Sequence, residues 1–409
     1  MDKKYSFPKS RMKILLLEAI HPAAKEQFEQ AGYQAEILPS ALDEESLIDA
    51  VQDVHLLGIR SKTKISEKVL DRAKSLLAVG CFCIGTDQVD LRQAAIRGVP
   101  VFNAPFSNTR SVAELTMAEV VMLARQASYK SQLMHEGKWN KSAEGCVEIR
   151  NKTLGIIGYG HIGPQVGLLA EAFGMKVIFY DISVKLPLGN AKQLNSMREL
   201  LQQADFITLH VPDTPQTKNL ISAKEISSIK KGAFLLNLSR GNVVNLQALA
   251  EALKNKHIAG AALDVFPEEP SSNTDPFKCE LCGMQNVILT PHIGGSTAEA
   301  QHNIGIEVTS SLIKYTDTGS SSGAVNFPQV ELPVLHSSHR VLNIHRNVPG
   351  VLSNITAIVA GMGCNIRSQY LSTSNDIGYL IMDVEQGLSR DVKQKIDRLE
   401  TSIRTRLLF

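Results

Sequence analysis

Residues 152–181 read "KTLGIIGYGHIGPQVGLLAEAFGMKVIFYD". The run 152–160 is apolar enough for a strand covered on both faces. It passes into Gly158-Tyr159-Gly160-His161-Ile162-Gly163, a G-x-G-x-x-G loop that opens a helical stretch. A second strand-like run, 175–181, ends on Asp181. The glycine pattern alone is weak, but strand, loop, helix and strand together make a βαβ unit with a phosphate-binding turn. Gly158 allows the tight turn, Gly160 lets the backbone approach a pyrophosphate, and Gly163 lets the helix pack on the strand. The helix N-terminus favours the phosphate charge. Asp181, 18 residues beyond Gly163, stands where an acid bonds ribose hydroxyls and repels a 2′-phosphate. The pattern therefore predicts NAD in preference to NADP; a purely structural βαβ unit is the alternative. Pro164 falls in the first helical turn, where a missing N–H is tolerated.

Working outward, strand-like and helix-like segments alternate from residue 11 to about 315. Strands are expected at 12–19, 76–83, 205–212, 233–240 and 258–266, and a helix at 23–32. This alternation predicts a doubly wound α/β fold, a parallel sheet with helices on both faces. After residue 316 the pattern changes. "TDTGSSSGAVNFPQVELP" (316–333) reads as a linker by its Gly, Ser and Pro content. Beyond it we expect strand 339–346, helix 349–361, strand 364–373, strand 377–386, helix 389–399 and strand 402–408. That is the βαββαβ order of a ferredoxin-like domain.

At 409 residues the chain is expected to form two or three domains. Hydrophobic content of 44% and charged content of 21% are those of an ordinary soluble protein. The formal net charge of +2 gives no electrostatic footprint for nucleic acid. No apolar run approaches the ~20 residues that span a bilayer. "MDKKYSFPKSRM" (1–12) leads into no signal-type apolar core, so a cytoplasmic location is expected. The six cysteines are scattered; Cys279 and Cys282 form a C-x-x-C with no second pair nearby. A structural zinc site needs about four ligands, so reduced, incidental thiols and no metal are expected.

Ligands in open α/β sheets bind outside the carboxyl ends of the strands. The run Ala233–Leu238 leads there into Ser239, Arg240 and Gly241. An arginine so placed either opens a surface turn or holds a carboxylate through its planar fork. Two further strand ends supply Asp264 with Glu269, and His292 with Gly294 and Gly295. Hydride transfer from an alcohol carbon needs a base near neutral pH, a carboxylate to orient that base, and a cation for the substrate carboxylate. His292, Glu269 and Arg240 have these chemistries, though spacing alone does not bring them into contact. "LLGIRSKTKIS" (56–66) adds Arg60, Ser61 and Lys62 after an apolar strand. These side chains suit a phosphorylated substrate, or make an ordinary basic loop.

The stretches "LGIIGYGHIG", "LLNLSRGNVVN", "AALDVFPEEP", "LTPHIGGST", "VGCFCIGTDQVDL" and "VFNAPFSNTRSVAE" resemble the signatures of the D-isomer-specific 2-hydroxyacid dehydrogenases, from about residue 12 to 327. "IHRNVPGVLSNI" and "GCNIRSQYL" resemble an ACT domain. The resemblance implies a Rossmann-type NAD domain at 108–295, inserted in a flavodoxin-like substrate domain split between 1–107 and 296–330. An ACT regulatory domain would follow at 337–409. It implies Arg240, Glu269 and His292 as catalytic residues, with Glu269 rather than Glu268 as the acid. Gly158, Gly160, His161, Ile162, Gly163, Asp181, Leu238, Ser239, Arg240, Asp264, His292, Gly294 and Gly295 would contact NAD. Arg60, Ser61, Asn108, Arg240 and His292 would contact a phosphorylated 2-hydroxy acid, with 3-phosphoglycerate and phosphohydroxypyruvate as the expected pair. Pro164 departs from the family's common polar residue. Alternatives on the same scaffold are glyoxylate or hydroxypyruvate reductase, D-lactate dehydrogenase, and an NAD-sensing corepressor. The ACT likeness implies L-serine as effector, held by His345, Asn347 and Asn365 between the tails of a homotetramer. His345 and Asn347 are expected in a strand-to-helix turn, with Pro349 in the first turn of the helix.

Overall fold

The computed structural model describes residues 7–270, 274–332 and 338–409. The chain forms two compact units, Met1–Ser107 with Gln301–Phe409, and Asn108–Ala300.

The first unit opens with five strands, β1 (Lys13–Leu16), β2 (Gln34–Ile37), β3 (Leu56–Ile59), β4 (Ala78–Cys81) and β5 (Val101–Asn103). Helices α1 (Pro22–Gln30), α2 (Glu44–Ala50), α3 (Glu67–Arg72) and α4 (Leu91–Ile96) connect them. All pairings are parallel, in the order β2-β1-β3-β4-β5, which is the flavodoxin-like order. Successive side chains point to opposite faces. Leu15, Leu57 and Val79 accordingly enter one core, and Leu16, Leu56 and Ala78 the other.

The second unit begins with α5 (Thr109–Arg125) and α6 (Ala127–His135). Then come β6 (Thr153–Ile157), α7 (Ile162–Ala172), β7 (Lys176–Tyr180), β8 (Lys192–Gln193), α8 (Met197–Gln203), β9 (Phe206–Leu209) and α9 (Ala223–Ser228). β10 (Ala233–Asn237), α10 (Leu246–Lys254), β11 (Ile258–Leu263) and β12 (Val287–Leu289) complete it. The parallel sheet runs β12-β11-β10-β9-β6-β7-β8, the doubly wound Rossmann arrangement. Strand order reverses between β6 and β9, where such sheets open a crevice for a dinucleotide.

Helix α11 (Ala298–Thr318) leads back to the first unit. There β13 (His339–Arg346), α12 (Val351–Gly361), β14 (Ile366–Thr373), β15 (Ile377–Val384), α13 (Ser389–Asp397) and β16 (Ser402–Leu408) form an antiparallel sheet ordered β14-β15-β13-β16. The βαββαβ expectation holds, with ends shifted by one or two residues. One face of this sheet carries Val341, Leu380 and Met382 against its own helices. From the other face Leu342, Ile344, Ile377, Tyr379 and Ile381 join the core of Leu16, Phe102, Tyr315 and Phe327. Polar contacts complete that junction at the C-terminal end of α11, where helical carbonyls lack intrahelical partners. Arg406 Nη2 donates to Thr316 O (3.0 Å), Arg340 Nη1 to Thr318 O (2.9 Å) and Tyr379 Oη to Gly319 O (2.7 Å).

The linker expected at 316–333 needs correction. Residues 316–318 finish α11, and Ser320, Ser321, Ala324, Phe327, Val330 and Leu332 are buried. The hydroxyls that suggested a solvated linker bond backbone instead, Ser320 Oγ to Val330 O (3.0 Å) and Ser321 Oγ to Pro328 O (2.6 Å). Pro333, the last residue of the expected linker, lies outside the described residues. Among the described residues no helix is long and apolar enough to cross a membrane.

Candidate active site

The glycine loop follows β6 at the edge where the strand order reverses. Gly158 has φ +91°, and a Cβ there would lie 2.4 Å from His210 O, so no side chain is tolerated at the turn. Around Gly160 a Cβ would meet nothing within 4 Å. That open space is the approach a pyrophosphate requires. His161 is the N-cap of α7 and Ile162 its first residue, so Pro164 sits in the first turn as expected. Asp181, just past β7, accepts the Tyr159 N–H (2.9 Å) and the Ser183 N–H (3.0 Å). Burial pushes its carboxyl up, but these hydrogen bonds outweigh burial and hold it below its ordinary value. It is thus an anion at the tip of β7, bonded to the glycine loop. An open cradle, a helix N-terminus and an ionised acid fit the phosphates and ribose of NAD.

The next strand ends carry the polar constellation. β10 stops at Asn237, earlier than its apolar run suggests, because the Asn237 side chain builds the turn that follows. Its Oδ1 accepts the Ser239 N–H (3.1 Å) and Oγ (2.9 Å), and its Nδ2 donates to Arg240 O (2.9 Å). Leu238 and Ser239 are buried in this turn, while Arg240 is half-buried with Nη1 on Ser239 O (2.8 Å).

His292 Nδ1 lies 2.8 Å from Glu269 Oε2, and Glu269 Oε1 accepts the Phe266 N–H (3.1 Å). Burial pushes Glu269 up, but the hydrogen bond and charge of His292, with Phe266 N–H and the charge of Arg240, hold it below its ordinary value. The hydrogen bond to Glu269 pushes the His292 imidazole above its ordinary value. Burial and the charge of Arg240 oppose that rise, while the charges of Glu269 and Asp264 add to it. An ionised carboxylate only accepts, so Nδ1 carries a proton and Nε2 is the nitrogen that titrates. His292 adopts φ +54°, a left-handed conformation that a non-glycine residue keeps only where its surroundings impose it.

Asp264, at the end of β11, is the buried strut of the His292 loop. Its Oδ1 accepts Thr290 Oγ1 (2.6 Å) and the Ile293 N–H (2.8 Å), and its Oδ2 the Gly294 N–H (2.8 Å). A Cβ on Gly295 would fall 2.3 Å from Asn108 Nδ2, so Gly295 lets Asn108 close over the loop. Asn108 is buried, and its Oδ1 has no hydrogen-bond partner. Arg60, half-buried, and Ser61, exposed, lie beyond β3 in the first unit.

Sequence reasoning missed Asn237 and Thr290, which place Arg240 and Asp264. It also missed Glu119 on α5, 1% exposed with neither carboxylate oxygen bonded. Burial, then the charge of Asp264, pushes Glu119 up to about 8, so it is largely neutral at pH 7. Asn237 lies within an apolar run that conceals it, and Glu119 sits on a helix that carries no motif.

The family model for the D-isomer specific 2-hydroxyacid dehydrogenase NAD binding domain matches residues 117–294. One for the AHAS small subunit-like ACT domain matches 342–404. A D-3-phosphoglycerate dehydrogenase of Dictyostelium discoideum is 55% identical over 409 residues, covering 100% of each chain. The chain belongs to the D-isomer specific 2-hydroxyacid dehydrogenase family. A second relative, the D-3-phosphoglycerate dehydrogenase of Escherichia coli K12, is 53% identical over 99% of this chain and 100% of its own. The solved structure of a D-isomer specific 2-hydroxyacid dehydrogenase from Lactobacillus delbrueckii, in its NAD complexed form, superposes with a TM-score of 0.67 at 26% identity. It covers 77% of this chain and 100% of that one. As a D-isomer specific 2-hydroxyacid dehydrogenase the chain is an NAD-dependent oxidoreductase, and the C-terminal sheet is an ACT domain.

The residues expected to hold an effector differ from their predicted setting. His345 is not in a turn: it is the penultimate residue of β13, buried, with Nδ1 on Asn343 Oδ1 (3.0 Å). Burial holds its imidazole below the ordinary value. Its Nε2 lies 2.3 Å from where a Cβ on Gly378 would stand, so the glycine makes room for the ring. Pro349 precedes the helix, which begins at Val351 with Gly350 as N-cap at φ +89°. Asn347 is exposed, and its Nδ2 donates to Ser374 O (2.7 Å). Asn365 is exposed just before β14. The strand expected at 339–346 is the one observed, so His345 belongs to it and not to the turn before Pro349.

Proposed function

We propose that this chain catalyses the reversible, NAD-linked oxidation of 3-phospho-D-glycerate to 3-phosphohydroxypyruvate, the first step of L-serine biosynthesis. The observation that carries the reading is the His292–Glu269 pair at 2.8 Å, at strand ends of a sheet whose glycine loop fits NAD. Both full-length relatives are named D-3-phosphoglycerate dehydrogenase. NAD, when bound, supplies the hydride acceptor. His292 Nε2 takes the proton of the substrate 2-hydroxyl as the hydride leaves, and returns it in the reverse direction. Glu269 holds the ring in one tautomer and stabilises the imidazolium. Arg240 binds the substrate carboxylate with its guanidinium fork, and Asn108 adds a polar contact beside it. Arg60 and Ser61 take the substrate phosphate. We assign 1–107 with 296–330 to substrate binding, 108–295 to the cofactor and 337–409 to regulation, in a cytoplasmic homotetramer.

NADH oxidation measured across a panel of 2-oxo acids tests this. Phosphohydroxypyruvate should give the highest kcat/KM. A preference for glyoxylate, unphosphorylated hydroxypyruvate or pyruvate would assign the chain to another activity of the family, and no turnover at all would favour a sensor.

We further infer that L-serine inhibits by binding at Asn347 and Asn365 near His345. Supporting this, both asparagines are exposed and His345 lies at the same end of β13 as Asn347. Asn347→Ala should lose serine inhibition and keep turnover; full sensitivity in that variant rejects the site. Point variants suit this test better than truncation near residue 330. Truncation would remove Leu342, Ile344, Ile377, Tyr379 and Ile381 from the core of the first unit.

A further inference from the structure

Glu18 stands two residues beyond β1 and is only 8% exposed. Its carboxylate accepts backbone N–H groups from a single loop: Oε1 from Arg60 (3.2 Å) and Thr63 (2.8 Å), Oε2 from Lys62 (3.0 Å). Of the consecutive residues 60–63, Ser61 is the one whose N–H is not bonded to Glu18. Arg60 Nη1 turns back toward Glu18 O at 3.4 Å, and Gln88 Nε2 donates to Arg60 O (2.6 Å). The loop is thus fixed from two sides, while Ser61 and Lys62 stay exposed.

The backbone beneath the carboxylate is unusual as well. Glu18 (φ +63°) and Ala19 (φ +49°) are consecutive non-glycine residues in the left-handed region. Their N–H groups are held by Ser40 O and Leu38 O, both at 3.2 Å. Such conformations persist where the surrounding structure over-determines them, and they cluster at functional sites. A chain that needed only a turn here would be served by glycine or asparagine. The glutamate instead aims a buried carboxylate at one loop.

That loop has a physical need for an anion. Arg60, Lys62 and Lys64 crowd like charges into five residues, and they repel one another until a substrate anion arrives. A buried carboxylate bonded to the loop amides offsets that repulsion beforehand and uses no cationic side chain to do so. The Lys62 side chain, and the Arg60 guanidinium beyond its one long bond to Glu18 O, remain for the ligand in a shape set before binding. A site organised in advance binds more tightly because less ordering remains to be done.

We infer that Glu18 is a positioning residue of the substrate site, its buried carboxylate fixing the Arg60–Thr63 loop so that Arg60 and Ser61 meet the phosphate of the substrate. The inference rests on the proposal above that this loop takes the phosphate.

Full-length Glu18→Gln and Glu18→Ala test it, with Arg60→Ala in parallel. The measurements are KM and kcat for phosphohydroxypyruvate and for unphosphorylated hydroxypyruvate, the Kd for NADH, and the thermal midpoint. Gln retains an acceptor for Arg60 and Thr63 but sets an NH₂ group against the Lys62 N–H; Ala removes every bond. Glu18→Ala should raise KM for the phosphorylated substrate about 10- to 100-fold, the scale of one hydrogen bond to a charged group. Glu18→Gln should raise it less. Values of kcat, NADH binding and KM for the unphosphorylated substrate should hardly move. If Arg60→Ala raises KM and both Glu18 variants leave it unchanged, the inference is overturned and the substrate reading stands. If Arg60→Ala itself leaves KM unchanged, the substrate reading fails and the inference falls with it. A common loss of kcat on both substrates, with weaker NADH binding and a lower midpoint, would make Glu18 a scaffold residue and also overturns the inference.

Discussion

Replacing Glu269 by Gln keeps the shape of the side chain and an oxygen for the His292 Nδ1–H, but removes the charge. His292 and Glu269 lie 2.8 Å apart with side chains 52% and 36% exposed. Water therefore screens the pair, and its coupling is that of a solvated ion pair, about 0.5–1 kcal/mol. At about 1.4 kcal/mol per pH unit, the His292 pKa should fall by roughly 0.4–0.7 unit. The sign follows from which form works. In the proposed mechanism oxidation needs neutral Nε2, so its rate rises with pH through the His292 pKa. Reduction needs the imidazolium, so its rate is lost as pH rises through the same pKa. Both midpoints should move to lower pH in Glu269→Gln. The assay is kcat/KM against pH in each direction, with buffers of constant ionic strength. A variant whose plateau drops while both midpoints stay in place would refute the coupling and leave Glu269 only an orienting role. The folded pair has a linked effect on stability. The raised His292 pKa contributes below its unfolded value near 6.5 and is lost as pH rises through the folded value. The lowered Glu269 pKa contributes above its unfolded value and is lost as pH falls through the folded value.

His292→Ala should lower kcat by roughly 10²–10⁴-fold, the usual worth of a general acid–base group, while NADH titration of its fluorescence stays as in the parent; near-parental kcat removes His292 from the chemistry. Arg240→Lys keeps a charge but loses the fork, so KM for the 2-oxo acid should rise more than the Kd for NADH, and an equal change in both would indicate a structural role. Asn237→Ala removes the Asn237 bonds to the turn that carries Arg240, and we expect it to lose about 1–3 kcal/mol of stability from the unpaired buried groups, seen as a lower denaturant midpoint; an unchanged midpoint would show that the turn holds itself. Asp181→Ala should narrow the ratio of kcat/KM for NAD over NADP, because the ribose contact and the repulsion of a 2′-phosphate are lost together; an unchanged ratio would assign selectivity to another residue.

The local patterns were legible because each states its own physics. The run 152–181 contains strand, turn, helix and acid in the only order that makes a phosphate-binding βαβ unit, and α7 begins at Ile162 accordingly. The ACT elements were placed to within two residues, helped at α12 by Pro349 and Gly350 before it and Gly363 after it. His292, Glu269 and Arg240 were identified as chemical types and by family likeness. Composition failed at 319–332, where Gly and Ser usually mean a solvated chain but here bond backbone inside a core. It failed again at His345, expected in the turn before Pro349 but buried in β13.

The amino-acid sequence by itself determined the glycine loop, the α/β alternation and the chemical types of the side chains proposed to react, since each depends on neighbours within a few residues. Only the tertiary structure decided which groups meet. Glu269 and His292 are 23 residues apart, Asp264 and Gly294 30, and Glu18 and Thr63 45. Periodicity carries no record of such pairings, because they form only when β1 lies beside β3 and β11 beside β12, and strand order is set by the packing of whole sheet faces rather than by any one segment.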